Sequence, residues 1–174
     1  MVLTSYQSEE AYRGLLAGTY RPETAKSHIK MGDEYARAYE WMMAQMVRRI
    51  GPKPAGATLP YWAWMFRKNA LIESYDRSFA GKVKLTLDID ESRLLMSSCD
   101  DWDNVINGTP VLLLEEWSDD DDEREEVMRK YRSAPQQTWE RIFDMKNYPE
   151  RFTWAFQVTF WELRPSDIVA VSYT

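Results

Sequence analysis

Alternation of apolar and polar residues predicts several strands, and it is clearest between residues 82 and 90. The apolar residues of this segment share one face: Val83, Leu85, Leu87 and Ile89. Alternation of this kind is typical of a half-buried strand. Four further segments have a strand-like composition: residues 2–7, 61–67, 153–163 and 168–171. The first and the last two of these place predicted strands at both ends of the chain.

A helical period is clearest between Asp33 and Ile50, where apolar residues recur at intervals of three or four. Gly51 and Pro52 end this helix. Ser8 is a favourable N-cap for an earlier helix that ends at Gly18. Shorter helices are predicted at three places: residues 101–108, residues 125–132 and the segment from Pro135 through Phe143. With helices early and strands in the middle and at the end, the sequence predicts an α+β fold with N-terminal helices packed on a small, mostly antiparallel sheet.

The chain of 174 residues has no internal repeat and no linker-like segment, so one domain over residues 1–174 is predicted. Its single cysteine, Cys99, excludes an internal disulfide and a cysteine-based zinc cluster, and no metal site is predicted. His28 is the one histidine. A signal peptide and a membrane-spanning run are both absent from the sequence. We therefore expect a cytoplasmic protein without a membrane segment.

The acidity of the chain is concentrated in residues 115–126, which hold nine acidic residues and one basic residue. The rest of the chain has 19 acidic and 21 basic residues and is nearly neutral. Charges this dense repel one another and stay solvated, which predicts an acidic surface loop or the frayed start of a helix. A cation site is the functional alternative, but the segment has no glycine for the sharp turn of a calcium loop. No basic, aromatic stripe for nucleic acid is present.

The usual motifs for dinucleotide, nucleoside triphosphate, zinc-protease and serine-hydrolase sites are missing, so candidate chemistry depends on other residues. The chain has eight tryptophans. Trp62 and Trp64 share a strand face and are suited to stacking on a base or on nicotinamide. The alternative is that both rings fill the core.

Polar residues in the segment at 153–163 suggest a second group of candidates. Gln157 and Thr159 fall on one face of the predicted strand, and Glu162 falls on the other with large apolar residues. A carboxylate in such surroundings loses hydration, which prepares it for acid or base chemistry. Alternatively, Glu162 lies in water at the strand end and pairs with Arg164 or Arg151.

Several motifs resemble a bacterial family known only as a domain of unknown function, number 3841. The motifs extend over nearly the whole chain: Ser5-Tyr-Gln-Ser, Gly18-Thr-Tyr-Arg, Ala38-Tyr-Glu-Trp-Met, Arg49-Ile-Gly-Pro, Pro60-Tyr-Trp-Ala-Trp, Leu85-Thr-Leu-Asp-Ile, Asp101-Trp, Trp139-Glu-Arg-Ile-Phe-Asp and Gln157-Val-Thr-Phe-Trp-Glu-Leu. The last two are the most specific. This family has no assigned reaction.

The order of elements also resembles the ADP-ribosyltransferase fold, in which a split β-sheet holds NAD between two small sheets. That resemblance implies that Glu162 stabilises the positively charged ribosyl centre as nicotinamide leaves. It implies that Gln7 or Ser5 is the early polar group that holds the ribose. It also implies that Tyr61 and Trp62 form the middle wall of the site.

The candidate nucleotide-binding set consists of the residues Ser5, Tyr61, Trp62, Trp64, Gln157 and Thr159. The chain departs from the pattern at two places: no histidine or arginine stands at the early position where those enzymes usually have one, and Thr159 stands where the acid is expected. Two hypotheses follow. One is an ADP-ribosyltransferase-like protein that binds NAD or another nucleotide; the other is a non-catalytic regulatory module whose acidic segment binds a basic protein.

Overall fold

The computed structural model of the chain describes residues 1–19, 32–66, 69–147 and 155–174. Its strands are β1 (Val2–Gln7), β2 (Tyr61–Phe66), β3 (Val83–Asp88), β4 (Leu95–Ser98), β5 (Ala155–Phe160) and β6 (Ile168–Tyr173). Its α-helices are α1 (Glu9–Leu16), α2 (Asp33–Ile50), α3 (Asn69–Ser78), α4 (Cys99–Asn107) and α5 (Asp121–Tyr131). The predicted α+β class is confirmed.

The six strands form one antiparallel sheet in the order β4-β5-β2-β1-β3-β6. The junction between β1 and β2 consists of a single residue pair, Thr4 with Trp64. By contrast, β1 and β3 pair along all six residues, as do β2 and β5. The sheet therefore has two halves, β4-β5-β2 and β1-β3-β6, that are joined narrowly at its centre.

The helices cover the two faces of the sheet separately. On the face covered by α1, which we call the α1 face, the core contains Leu3, Leu85, Val158 and Phe160. On the opposite face, which we call the α2 face, helices α2 and α4 pack on the half made of β4, β5 and β2. The N-terminal helices thus pack on opposite faces of the sheet.

The structure confirms the ends predicted for the first two helices. At each of these ends a capping residue or a glycine marks the boundary. The Ser8 side chain accepts a hydrogen bond from the Ala11 amide, which caps α1. Gly51 follows α2 with a φ of 106°, a conformation that favours glycine. The apolar spacing of α2 does not match its burial everywhere, since the polar Gln45 is buried while the apolar Val47 is 48% exposed.

One predicted helix changes in the structure, and one helix of the structure was not predicted. The helix expected from Pro135 is a pair of 3₁₀ turns, because the buried Thr138 hydroxyl bonds back to the Pro135 carbonyl and accepts from the Val111 amide. Helix α5 begins inside the acidic segment, where the Asp120 carboxylate caps the Asp122 and Glu123 amides. The end of that segment is therefore the start of a helix, which is one of the two structures predicted for it. Helix α3 was not predicted. Some residues considered above lie outside the described residues: His28, Arg151, Thr153 and Trp154.

Candidate functional site

The sequence-predicted site residues divide between the two faces of the sheet. Trp62 pairs with Thr159 and Trp64 pairs with Gln157, which places these four side chains together on the α2 face. Tyr61 pairs with Phe160 and lies on the α1 face. Because neighbouring strand residues point to opposite faces, Tyr61 and Trp62 do not form one wall.

Three of the four residues on the α2 face are buried in the core or pack against it: Trp62, Gln157 and Thr159. Thr159 is fully buried and its hydroxyl donates to the Leu95 carbonyl at 3.3 Å. The Gln157 amide approaches the Ser98 carbonyl at 3.5 Å. The Trp62 ring lies 5.3 Å from the ring of Trp102, measured between centroids. These contacts match the alternative in which the aromatic rings fill the core.

The Trp64 ring packs in a second aromatic group on the same face. Its centroid lies 5.7 Å from Phe79 and 5.9 Å from Tyr75. Tyr6 stacks on Phe79 at 4.6 Å, and its hydroxyl donates to Asp76 at 2.6 Å. Burial, together with the neighbouring Asp76 carboxylate, raises the pKa of Tyr6 above its ordinary value. This group anchors α3 to the sheet.

Ser5 and Gln7 lie on the α1 face of β1, and Ser5 bridges the narrow junction. The buried Ser5 hydroxyl donates to the Trp62 carbonyl at 3.2 Å, and the Gln7 amide donates to Ser5 Oγ at 2.8 Å. The side-chain bond crosses from β1 to β2 beside their single backbone pair. If the antiparallel register of the Thr4–Trp64 pair is continued along both strands, Gln7 lies opposite Tyr61. This position is the last residue of β1 and the first residue of β2.

A cleft of about 260 Å³ opens at this end of the sheet, and we call it the sheet-end cleft. Its wall includes Gly18, Leu59, Tyr61, Trp161, Glu162 and Arg164. The structure therefore brings together Tyr61 and Glu162, two candidates that lie far apart in the sequence.

Glu162 lies beyond the end of β5, which stops at Phe160. Its side chain is 49% exposed and accepts a hydrogen bond from Arg164 Nη2 at 2.9 Å. The expectation that Glu162 lies among apolar side chains on the strand is wrong because the strand ends two residues earlier. Its surroundings match the alternative of a wet carboxylate paired with Arg164.

A buried ion pair fixes the turn that carries Glu162 and Arg164. The Arg93 guanidinium holds both carboxylate oxygens of Asp167, at 2.8 and 3.0 Å. It also donates to the Glu162 carbonyl at 2.8 Å, while Asp167 accepts from the Arg164 amide at 2.8 Å. Burial by itself raises the pKa of Asp167, but these bonds outweigh burial and hold its pKa below the ordinary value. The cleft wall is thus preorganised by residues that the sequence did not single out.

A larger groove of about 550 Å³ lies between α4 and α5, and we call it the α4–α5 groove. Its wall carries four carboxylates: Asp101, Asp121, Asp122 and Glu125. Trp117 also lines the groove and is 57% exposed, with the Arg124 guanidinium 5.1 Å from its ring centroid. The acidic segment was predicted from charge, but its combination with Trp117 and α4 was not.

Other chemistry has little support among the described residues. No group of three or more histidine, cysteine, aspartate or glutamate side chains in that part of the chain is arranged to hold a metal ion. Burial and the neighbouring Asp100 raise the pKa of the Cys99 thiol, which disfavours a reactive thiolate. None of the helices in the described ranges has the length and apolar composition to cross a membrane.

Comparison with known proteins adds one finding. A family model for a domain of unknown function, DUF3841, matches residues 2–116. The match spans β1 to β4 and stops before α5, so the motifs at Trp139 and Gln157, expected to be the most specific, lie outside it. No curated protein and no solved structure matches the chain.

Proposed function

Because the chain belongs to the DUF3841 family, whose function is unknown, we propose its function from the geometry of its site: it is an ADP-ribosyltransferase-like protein that binds NAD or a related nucleotide in the sheet-end cleft. One observation carries the proposal. Tyr61 and Glu162, both implied by the resemblance to that fold, line one cleft at the end of a sheet that is divided at its centre.

The dimensions of the cleft favour partial enclosure of such a ligand. Pockets for drug-sized molecules usually measure about 300–1,000 Å³, and the sheet-end cleft is slightly smaller at about 260 Å³. It has room for one end of a dinucleotide, and the remainder would extend along the surface. Tyr61 and Trp161 line the cleft, and the parts of them that a ring could contact are small, since the two residues are 7% and 8% exposed.

The charges on the cleft wall suit the two polar parts of the ligand. Arg164 offers a guanidinium for phosphate oxygens, which it can bind in a fork geometry. Glu162 offers the carboxylate that the resemblance places against a cationic ribosyl centre. Their ion pair is half exposed and is worth little by itself, so a ligand can replace it at small cost.

Binding is tested first, by thermal shift of the purified chain with NAD, ADP-ribose, nicotinamide and ATP. A ligand at 100 times its dissociation constant adds about 2.7 kcal/mol to the free energy of unfolding. For a domain of this size that corresponds to a rise in Tm of about 5–10 °C. No shift with any of the four would remove the nucleotide proposal.

The roles of the charges are tested with matched variants. Arg164→Ala is expected to weaken NAD binding, whereas Arg13→Ala, which breaks the similarly exposed Arg13–Glu9 pair on α1, is expected to leave it unchanged. Glu162→Gln is expected to abolish transfer of labelled ADP-ribose with the fold intact, and Glu9→Gln is its control. Equal turnover in Glu162→Gln would exclude this carboxylate from the mechanism.

A second candidate function is favoured by the α4–α5 groove. The groove wall carries four carboxylates and one cation, Arg124, which pairs with Asp121; the remaining negative charge around an exposed tryptophan is complementary to a basic segment that carries an apolar side chain. On this hypothesis the chain is a binding module for a basic protein and needs no reaction at the sheet-end cleft.

The second candidate is tested with a fluorescent peptide rich in lysine and arginine that contains one leucine. Asp121→Asn with Asp122→Asn removes two groove carboxylates and keeps the Asp120 cap, and it should weaken binding at low salt. The control, Asp119→Asn with Glu126→Gln, removes the same charge outside the groove wall. Equal weakening by both pairs would indicate general attraction to the acidic segment and would contradict a site in the groove.

A further inference from the structure

The two edge strands of the sheet differ in length and in burial. At one edge, β4 is four residues long, largely buried and packed against the turn at Trp139–Phe143. At the other edge, β6 is six residues long and exposed from Val169 to Tyr173. Proteins commonly protect edges with charged residues, proline or a covering element, because an open edge is a template for pairing with another strand.

Strand β6 lacks charged residues and proline, and the one irregularity in its pairing with β3 lies at Thr86/Leu87, beyond the regular stretch from Val83 to Thr86. The strand reads Ile-Val-Ala-Val-Ser-Tyr. Three of its apolar side chains are exposed: Val169 at 58%, Val171 at 40% and Tyr173 at 67%. An apolar partner strand without charges would cover these side chains without burying an unpaired charge.

The backbone of β6 shows which groups point outward. The N–H of Thr174 donates to the Lys82 carbonyl at 3.1 Å, and its carbonyl accepts from the Gly81 amide at 2.8 Å, so Thr174 bonds towards β3. The pairing of β3 with β6 is regular from Val83–Tyr173 to Thr86–Ala170. Because bonding alternates along an antiparallel strand, Ser172 also bonds inward, and the backbone groups of Val171 and Tyr173 point to the open edge.

We propose that β6 pairs antiparallel with β6 of a second copy of this chain, about a two-fold axis at Ser172. In this register Val171 of one copy lies opposite Tyr173 of the other, so the outward N–H and carbonyl groups of both residues find partners. A β-branched residue opposite an aromatic one is a favourable cross-strand pair, and the two-fold axis creates it twice.

The second copy is the occupant that the strand itself specifies. An identical strand is equally apolar and uncharged, and it offers its outward backbone groups at the spacing that the first copy requires. The contact is short, so it belongs to the small interfaces that associate weakly. A dimer that forms with rising concentration is expected, and not a permanent one. This inference is independent of the nucleotide proposal, since β6 is not part of the sheet-end cleft wall.

Sedimentation equilibrium over a wide range of chain concentration tests the proposal. Val171→Pro removes one outward N–H and leaves the bonds from β6 to β3 in place, since proline is tolerated on an edge. Tyr173→Lys places a charge at the contact. Both variants are expected to remain monomeric at concentrations where the unmodified chain dimerises.

The control is Val2→Lys, which is expected to dimerise normally. Val2 is 64% exposed and lies on the interior strand β1. Far-UV circular dichroism checks that each variant is folded.

The register is tested by oxidation with diamide in a Cys99→Ala background. Ser172→Cys places its thiol opposite the same thiol of the second copy, so a disulfide-linked dimer is expected. Ala170→Cys lies on the same face but away from the axis, and little cross-linking is expected. The proposal is overturned if the chain stays monomeric at the highest concentration, if both edge variants still dimerise, or if Ala170→Cys cross-links as readily as Ser172→Cys.

Discussion

Two ion pairs near the sheet-end cleft have different roles because they differ in burial. The Glu162–Arg164 pair is half exposed, so water competes for both charges. The Arg93–Asp167 pair is bidentate, and the Asp167 side chain is only 8% exposed. Removing one partner of a buried pair leaves a charge without compensation, which is costly. The exposed pair is therefore available to a ligand, while the buried pair holds the turn in place.

Asp167→Asn is expected to lower the free energy of unfolding by about 1–3 kcal/mol near neutral pH, since it weakens the bonds from Arg93 and the Arg164 amide. The pKa of Asp167 is lowered in the folded chain, so its contribution is full above the unfolded value of about 3.9 and is lost as pH falls through the folded value. Urea unfolding at several pH values should show the two proteins converging below about pH 4.

The exposed aspartate Asp88, paired with the N-terminal ammonium, provides the control for this effect. Asp88→Asn is expected to change the free energy of unfolding by less than about 1 kcal/mol at any pH. A constant difference between Asp167→Asn and the unmodified chain down to the acid limit would contradict the assigned role of the ion pair.

Helices α4 and α5 show how capping and packing contribute separately to an element. Both have side-chain caps, Ser98 for α4 and Asp120 for α5. Helix α4 also buries Trp102, Val105 and Ile106, whereas α5 buries none of its residues. Because most helix stability in proteins comes from tertiary packing, α5 depends more on its cap and on its favourably placed first-turn acids.

Asp120→Ala is therefore expected to affect α5 alone. Loss of the cap costs about 0.5–2 kcal/mol of helix stability. Hydrogen exchange should become faster at the amides of α5 and stay unchanged in β3. Asp119→Ala removes the same charge without removing a cap and should leave exchange in α5 nearly as it is. Faster exchange throughout the sheet in Asp120→Ala would show that α5 supports the whole fold.

The elements that the sequence predicted well are those with local signals. Helix α2 was predicted from its period and from Gly51, and β3 from four alternating apolar residues. The 3₁₀ turns after Pro135 were missed because Thr138 is bonded to Val111, which lies 27 positions away. The wall of the sheet-end cleft depends on Arg93 and Asp167, separated by 74 positions, and no local pattern reports such a contact. Tyr61 entered as a candidate only through the resemblance to the ADP-ribosyltransferase fold, whereas Glu162 was also singled out by the residue pattern of the segment at 153–163.

At the scale of the whole molecule, the side-chain core is more continuous than the backbone of the sheet. The strand ladder narrows to one residue pair between β1 and β2. The core on the α1 face nevertheless joins both halves, since Leu3 and Leu85 from one half belong to the same cluster as Val158 and Phe160 from the other. The Ser5 bond to the Trp62 carbonyl adds a polar link at the same place. The two halves should therefore unfold together.

Leu85→Ala tests this cooperativity because Leu85 belongs to β3, while Trp62, Trp102 and Trp139 pack on the other half of the sheet. Truncating a buried leucine costs about 2–5 kcal/mol. If the halves form one cooperative unit, the urea midpoint seen by tryptophan fluorescence falls as far as the midpoint seen by far-UV circular dichroism. Val105→Ala, a change in the core of the other half, should lower both midpoints together as well. A fluorescence midpoint that stays in place while the circular dichroism midpoint falls would mean that the narrow junction separates two independently unfolding halves, and that the shared core on the α1 face does not couple them.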